Sequence, residues 1–70
     1  MPLANVKAGY TGQIKSVSGN DKLKKFLFTL GCSEGEEITL ISVLTGNYII
    51  CVKNSRYAID KQMAMAIDVV

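Results

Sequence analysis

Asn20-Asp21-Lys22-Leu23-Lys24-Lys25-Phe26-Leu27-Phe28-Thr29-Leu30-Gly31 is the only stretch of this chain that reads as a helix of several turns, and its reading decides the fold. Leu23, Phe26, Leu27 and Leu30 stand at i, i+3, i+4 and i+7, which at about 3.6 residues per turn puts all four on one stripe and predicts that the stripe faces the core. Asn20 is the expected N-cap, because its side-chain oxygen can accept from a first-turn N–H that has no partner within the helix. Asp21 adds negative charge at the positive end of the helix dipole. Gly31 is the expected stop, since glycine takes the left-handed C′ conformation without a Cβ clash.

Outside this helix the pattern is that of short strands. Leu3 and Val6 are apolar anchors before a turn at Lys7-Ala8-Gly9, and Tyr10–Val17 reads as a first strand whose alternation is imperfect. Ser18-Gly19-Asn20 is a turn cluster leading directly into the helix. The segment Gly31-Cys32-Ser33-Glu34-Gly35-Glu36-Glu37 is an elbow with glycine near both ends, where positive φ is inexpensive. Ile38–Leu44 and Tyr48–Lys53 are rich in β-branched residues and predict a hairpin across Thr45-Gly46-Asn47. Asn54-Ser55 is a second turn and Arg56–Ile59 a short strand. Asp60–Ala64 is a single helical turn, and Ala66–Val70 is a closing strand with Ile67 and Val69 on one face.

Five short strands with one helix after the first predict a small antiparallel β-barrel, because closing a sheet removes edges that a chain this short has little else to cover. The 70 residues make one domain with one core. A chain of this size buries only ~60% of the surface its unfolded form exposes, so nearly every large apolar side chain must be used. A hydrophobic fraction of 49% is sufficient for a folded core and argues against intrinsic disorder. The formal net charge of +2 is too small to imply nucleic acid or an anionic membrane on its own.

The opening Met1-Pro2-Leu3-Ala4-Asn5 lacks the basic and apolar segments of a secretory signal, and no apolar run approaches the roughly 20 residues that span a bilayer. A cytoplasmic location is expected, and with it reduced thiols at Cys32 and Cys51. With no histidine in the chain and no CxxC spacing, a structural zinc site is not expected.

Candidate chemistry is sparse. Cys32, Glu34, Glu36 and Glu37 are residue types that bind first-row metals, but successive residues at a strand entry point apart, and a solvated turn is the expected reading. Asp60 and Asp68 are isolated and read as surface charges. Met63 and Met65 read as gap-filling core residues rather than a soft metal pair. No nucleophile–base pair is placed by any motif, and Gly9-Tyr10-Thr11-Gly12 lacks the spacing and following helix of a phosphate-binding loop, so catalysis is not expected. Phe28 stands off the apolar stripe between Lys24 and Lys25 in projection. It is either an exposed contact point or a side chain covered by a neighbouring loop.

The ordered set Leu23-x-x-x-Leu27-x-x-Leu30-Gly31-x-x-x-Gly35 resembles the helix-and-elbow signature of the FeoA family, the small component of bacterial ferrous iron uptake. The likeness runs along nearly the whole chain, through Leu3, Gly9 and Ile14, then Arg56-Tyr57-Ala58-Ile59, then Ala64, Ile67 and Val69. Three features depart from the family pattern. Phe26 stands where a basic residue is more usual, Glu34 where proline is common, and the Thr45-Gly46-Asn47 loop is short. The resemblance implies an SH3-like barrel, without enzymatic activity, that docks on and modulates the cytosolic domain of a FeoB-type GTPase membrane transporter for ferrous iron. A related barrel forms the C-terminal domain of some iron-dependent repressors, but no helix-turn-helix segment is seen here.

No cofactor is expected, and any association with ferrous iron is expected to be weak and through surface carboxylates. Once the core is assigned, the candidate partner-binding residues are Lys22, Lys24, Lys25 and Phe28 on the outer face of the helix. A small nucleic-acid-binding barrel is the alternative of a different class. It is disfavoured by the low charge and the lack of an aromatic platform for base stacking.

Overall fold

Helix α1 spans Asp21–Leu30 in a computed structural model that describes residues 1–70, and both of its ends are closed by the residues the sequence puts there. Asn20 Oδ1 accepts from the Leu23 N–H at 2.8 Å. At the other end Gly31 takes φ 103°, its N–H donates to the Phe28 carbonyl at 3.0 Å, and the Cys32 N–H donates to the Leu27 carbonyl at 2.9 Å. That pair of bonds is a Schellman motif, and its apolar contact is the fully buried pair Leu27 and Cys32.

The strands are β1 (Thr11–Val17), β2 (Glu37–Leu44), β3 (Asn47–Val52), β4 (Ser55–Ile59) and β5 (Ile67–Val69). A second helix, α2 (Lys61–Ala66), precedes β5, and a 3₁₀ turn covers Leu3–Asn5. The helical turn expected at Asp60–Ala64 is therefore longer and begins one residue later. Asp60 is its N-cap, accepting from the Met63 N–H at 2.8 Å. All strand pairs are antiparallel in the order β4-β3-β2-β1-β5. This is the SH3-like architecture, with α1 inserted after the first strand.

Turn chemistry makes the first hairpin loop one residue tighter than the sequence reading and shifts the second one residue toward the N-terminus. Leu44 pairs with Asn47 and Val52 with Ser55, so the loops are Thr45-Gly46 and Lys53-Asn54. All four loop residues have positive φ, the geometry in which a two-residue turn matches the right-handed twist of its strands. The imperfect alternation in β1 also has a cause. A register shift between Ile14 and Ser16 against β5 lets Ile14 be fully buried while Val17, three positions on, still packs on the core.

Inward residues of β2 and β3 (Ile38, Leu40, Tyr48, Ile50, Val52) meet Ile59, Ile67 and Val69 in one core, joined by Leu3, Leu27, Ala64 and Ala66. The elbow is tied to β1, with the Ile14 N–H donating to the Glu36 carbonyl at 2.9 Å and the Gly35 N–H to the Ile14 carbonyl at 2.8 Å. Two expected core residues are not buried. Phe26 is 46% exposed, because at about 100° per residue it lies a quarter-turn round the helix from Leu27, the only side chain of α1 that is fully enclosed. Met65 is also 46% exposed, so only Met63 serves as core filler.

Candidate functional site

The outward side of α1 carries three lysines, all between Asp21 and Phe26. Lys22 and Lys25 are exposed, and Lys24 is half-buried. Phe28, whose position the sequence leaves open, is 52% exposed and is not covered by the elbow. The salt bridges of the molecule lie elsewhere, between the Met1 amino group and Asp68 and between Lys53 and Glu36. The α1 cations therefore have no internal partner. The structure places Lys22, Lys24, Lys25 and Phe28 together on one helix, and the same helix presents the half-exposed Phe26.

Phe26 and α2 form a concavity that the sequence reading did not anticipate. A groove of about 330 Å³ lies between α1 and α2, lined by Asn20, Lys22, Leu23 and Phe26 from one side and Asp60, Gln62 and Met63 from the other. No local pattern could have shown that these two segments meet. The signal that was available is the departure at Phe26, since a position usually basic in the resembling family is a solvent-facing one. The other exposed apolar pair is Val43 and Leu44, beside the β2–β3 turn.

The elbow does not assemble its donors. Cys32 is fully buried, and burial, with a smaller contribution from Glu36, pushes its thiol up to about 11. Glu36 pairs with Lys53 at 2.9 Å, whereas Glu34 and Glu37 are exposed. No group of three or more cysteine, aspartate or glutamate side chains converges anywhere in the molecule. The carboxylate of Asp60 is used in capping. That of Asp68 is held below its usual range, first by its hydrogen bond with the Met1 amino group. Cys51, half-buried on β3, is a free thiol like Cys32.

The FeoA domain model matches residues 1–70, the whole of the chain that builds the barrel, the capped helix and the glycine elbow. This chain belongs to the FeoA family. Among solved structures, an iron uptake regulatory FeoA protein is 27% identical, with a TM-score of 0.92 over 100% of this chain and 93% of that one. A zinc-complexed FeoA from Stenotrophomonas maltophilia, described as an SH3-domain protein and a candidate activating factor of bacterial ferrous iron transport, is 22% identical, with a TM-score of 0.87 over 100% and 89%. A manganese-dependent transcriptional repressor shares the fold at 18% identity and a TM-score of 0.92, this chain spanning 40% of it. No curated protein matches the chain. As a FeoA-family domain it has no helix long and apolar enough to cross a membrane.

Proposed function

We propose that this chain is a non-enzymatic cytosolic accessory of bacterial ferrous iron uptake, docking through the outer face of α1 on the cytosolic domain of a FeoB-type GTPase transporter and modulating it. Membership of the FeoA family supports the process. The observation that carries the docking face is Phe28, 52% exposed on a helix whose three lysines have no internal ion pair. An exposed aromatic ring with a charged rim suits a protein contact, in which the rim governs association rate and salt dependence while the ring governs residence time. Iron is the transporter's cargo in this reading. The chain itself associates with it only weakly, through exposed carboxylates such as Glu34 and Glu37.

The experiment is kinetic binding to the transporter's soluble domain. Replacing Lys24 and Lys25 by glutamate slows association and weakens its salt dependence, with the thermal melt nearly unchanged. Phe28→Ala speeds dissociation instead. If both variants bind like the parent while changes at Thr45 and Gly46 weaken binding, the interface is the β2–β3 hairpin and the α1 face is not the docking surface.

A further inference from the structure

The two outer strands of the sheet end differently. The free side of β5 is covered by the start of the chain: Pro2 forms a bridge with Asp68, the Val69 N–H donates to the Met1 carbonyl at 2.7 Å, and the Met1 amino group donates to the Val69 carbonyl at 3.1 Å. β4 pairs only with β3. Val52 and Ser55 close a two-residue loop and so form a hydrogen-bonded pair, and the alternation of an antiparallel ladder makes Tyr57 and Ile59 the next bonded positions on β4. The N–H and carbonyl groups of Arg56 and Ala58 therefore point off the sheet, as does the Asp60 N–H just beyond. None of these groups has a backbone partner in a turn, a loop or another element.

An edge of this kind is completed by another strand. We propose that its occupant is β4 of a second copy of this chain, running antiparallel about a two-fold axis at Ala58. Because β5 is covered, β4 cannot pair head-to-tail with a neighbour's β5, and the pairing that closes on itself is β4 with β4. Charge selects the register. An axis at Arg56 would set two guanidinium groups against each other, and one at Tyr57 leaves Arg56 facing the uncharged Ala58. An axis at Ala58 sets Arg56 opposite the second copy's Asp60, on both sides of the axis.

Arg56 and Asp60 are exposed and take part in neither salt bridge. Asp60 caps α2 through Oδ1, across the groove from Lys22, and its second oxygen is without a partner. In this register the two Ala58 residues exchange N–H and carbonyl, and each Asp60 N–H donates to the other copy's Arg56 carbonyl. The half-buried Tyr57 falls opposite the second copy's Ile59, an aromatic and β-branched pair. One strand pair buries less than the roughly 1,200–2,000 Å² of stable interfaces, so the dimer is reversible. The proposal is independent of the docking reading above, since neither the α1 lysines nor Phe28 takes part in it.

Sedimentation equilibrium of the whole chain, from micromolar to millimolar concentration, tests this. The average mass should rise toward twice the monomer value, and salt should weaken the association. Ala58→Pro removes an N–H that the β3 ladder does not use, so it should keep the fold and lose the dimer. Arg56→Glu and Asp60→Lys should each weaken self-association roughly tenfold or more, whereas an equimolar mixture of the two should associate like the parent, because every contact then joins opposite charges. Thermal melts establish that each variant is folded, and restored association in the mixture cannot arise from damage. A monomer across the whole range, a dimer that tolerates Ala58→Pro, or a mixture no tighter than its separate components would each overturn the proposal. Binding of the transporter's soluble domain that is lost in Ala58→Pro, with no self-association of the parent, would place a strand of the transporter on this edge and would overturn it as well.

Discussion

Leu27→Ala tests whether α1 is held to the barrel by one side chain or by a broad stripe. Leu27 is 0% exposed, whereas Leu23 and Leu30 are half-buried and Phe26 is 46% exposed. The substitution removes three methyl-sized groups from a closed site, at about 0.8 kcal/mol each. The cavity left behind adds to this, because Cys32 is fixed beside it by the Schellman bonds and the strands beneath are tied by their ladders, so the neighbours cannot close in fully. The expected loss is about 3–4 kcal/mol. A domain of this length has about 4–10 kcal/mol in all, so the variant should lose between about a third and all of its stability. At about 4–8 °C per kcal/mol the melting temperature should drop by roughly 12–30 °C. Phe26→Ala, from the half-exposed flank, should cost about 1 kcal/mol or less. Urea melts of the two variants with equal m-values decide the matter. Equal losses in both would mean that the helix packs through a wide stripe and that the groove beside Phe26 is not open.

Two further substitutions and one titration probe the elbow. Gly31→Ala should cost about 1–2 kcal/mol from φ 103° alone, and more because a Cβ there would stand 2.9 Å from Lys53 Cδ, in the stem of the side chain that pairs with Glu36. Gly35→Ala, at φ 86° with open space around it, should show only the conformational part, so that melts showing equal losses at both glycines would rule out a Lys53 clamp. The Cys32 thiol is raised from near 9 to about 11, so the folded state keeps a proton that the unfolded chain releases first. That contribution is complete below pH 9 and is lost as pH rises from 9 to 11, by at most about 1.4 kcal/mol per pH unit. Denaturant melts across that window should show a shallower decline in Cys32→Ala, and alkylation of the native protein should label Cys51 but not Cys32.

The parts of this fold that could be read from the sequence are those whose cause is local. Asn20 and Gly31 bracket α1 because capping and left-handed backbone depend on a few adjacent residues, and the β-branched runs around Thr45-Gly46 needed only a turn to pair. Phe26 was misplaced because helical spacing fixes which residues share a side, but not how wide a sector the barrel covers. That width depends on where α2 lies, and α2 is brought beside α1 by β-pairing between residues about fifty positions apart, as in Val17 with Ile67. The candidate site divides in the same way. Lys22, Lys24, Lys25 and Phe28 could be found from one helix, whereas the groove exists only once β5 has paired with β1 and carried Asp60, Gln62 and Met63 to α1. Because the last strand positions one side of the groove, a change that loosens β5 should open the groove without touching any residue that lines it, and would leave the lysine face intact.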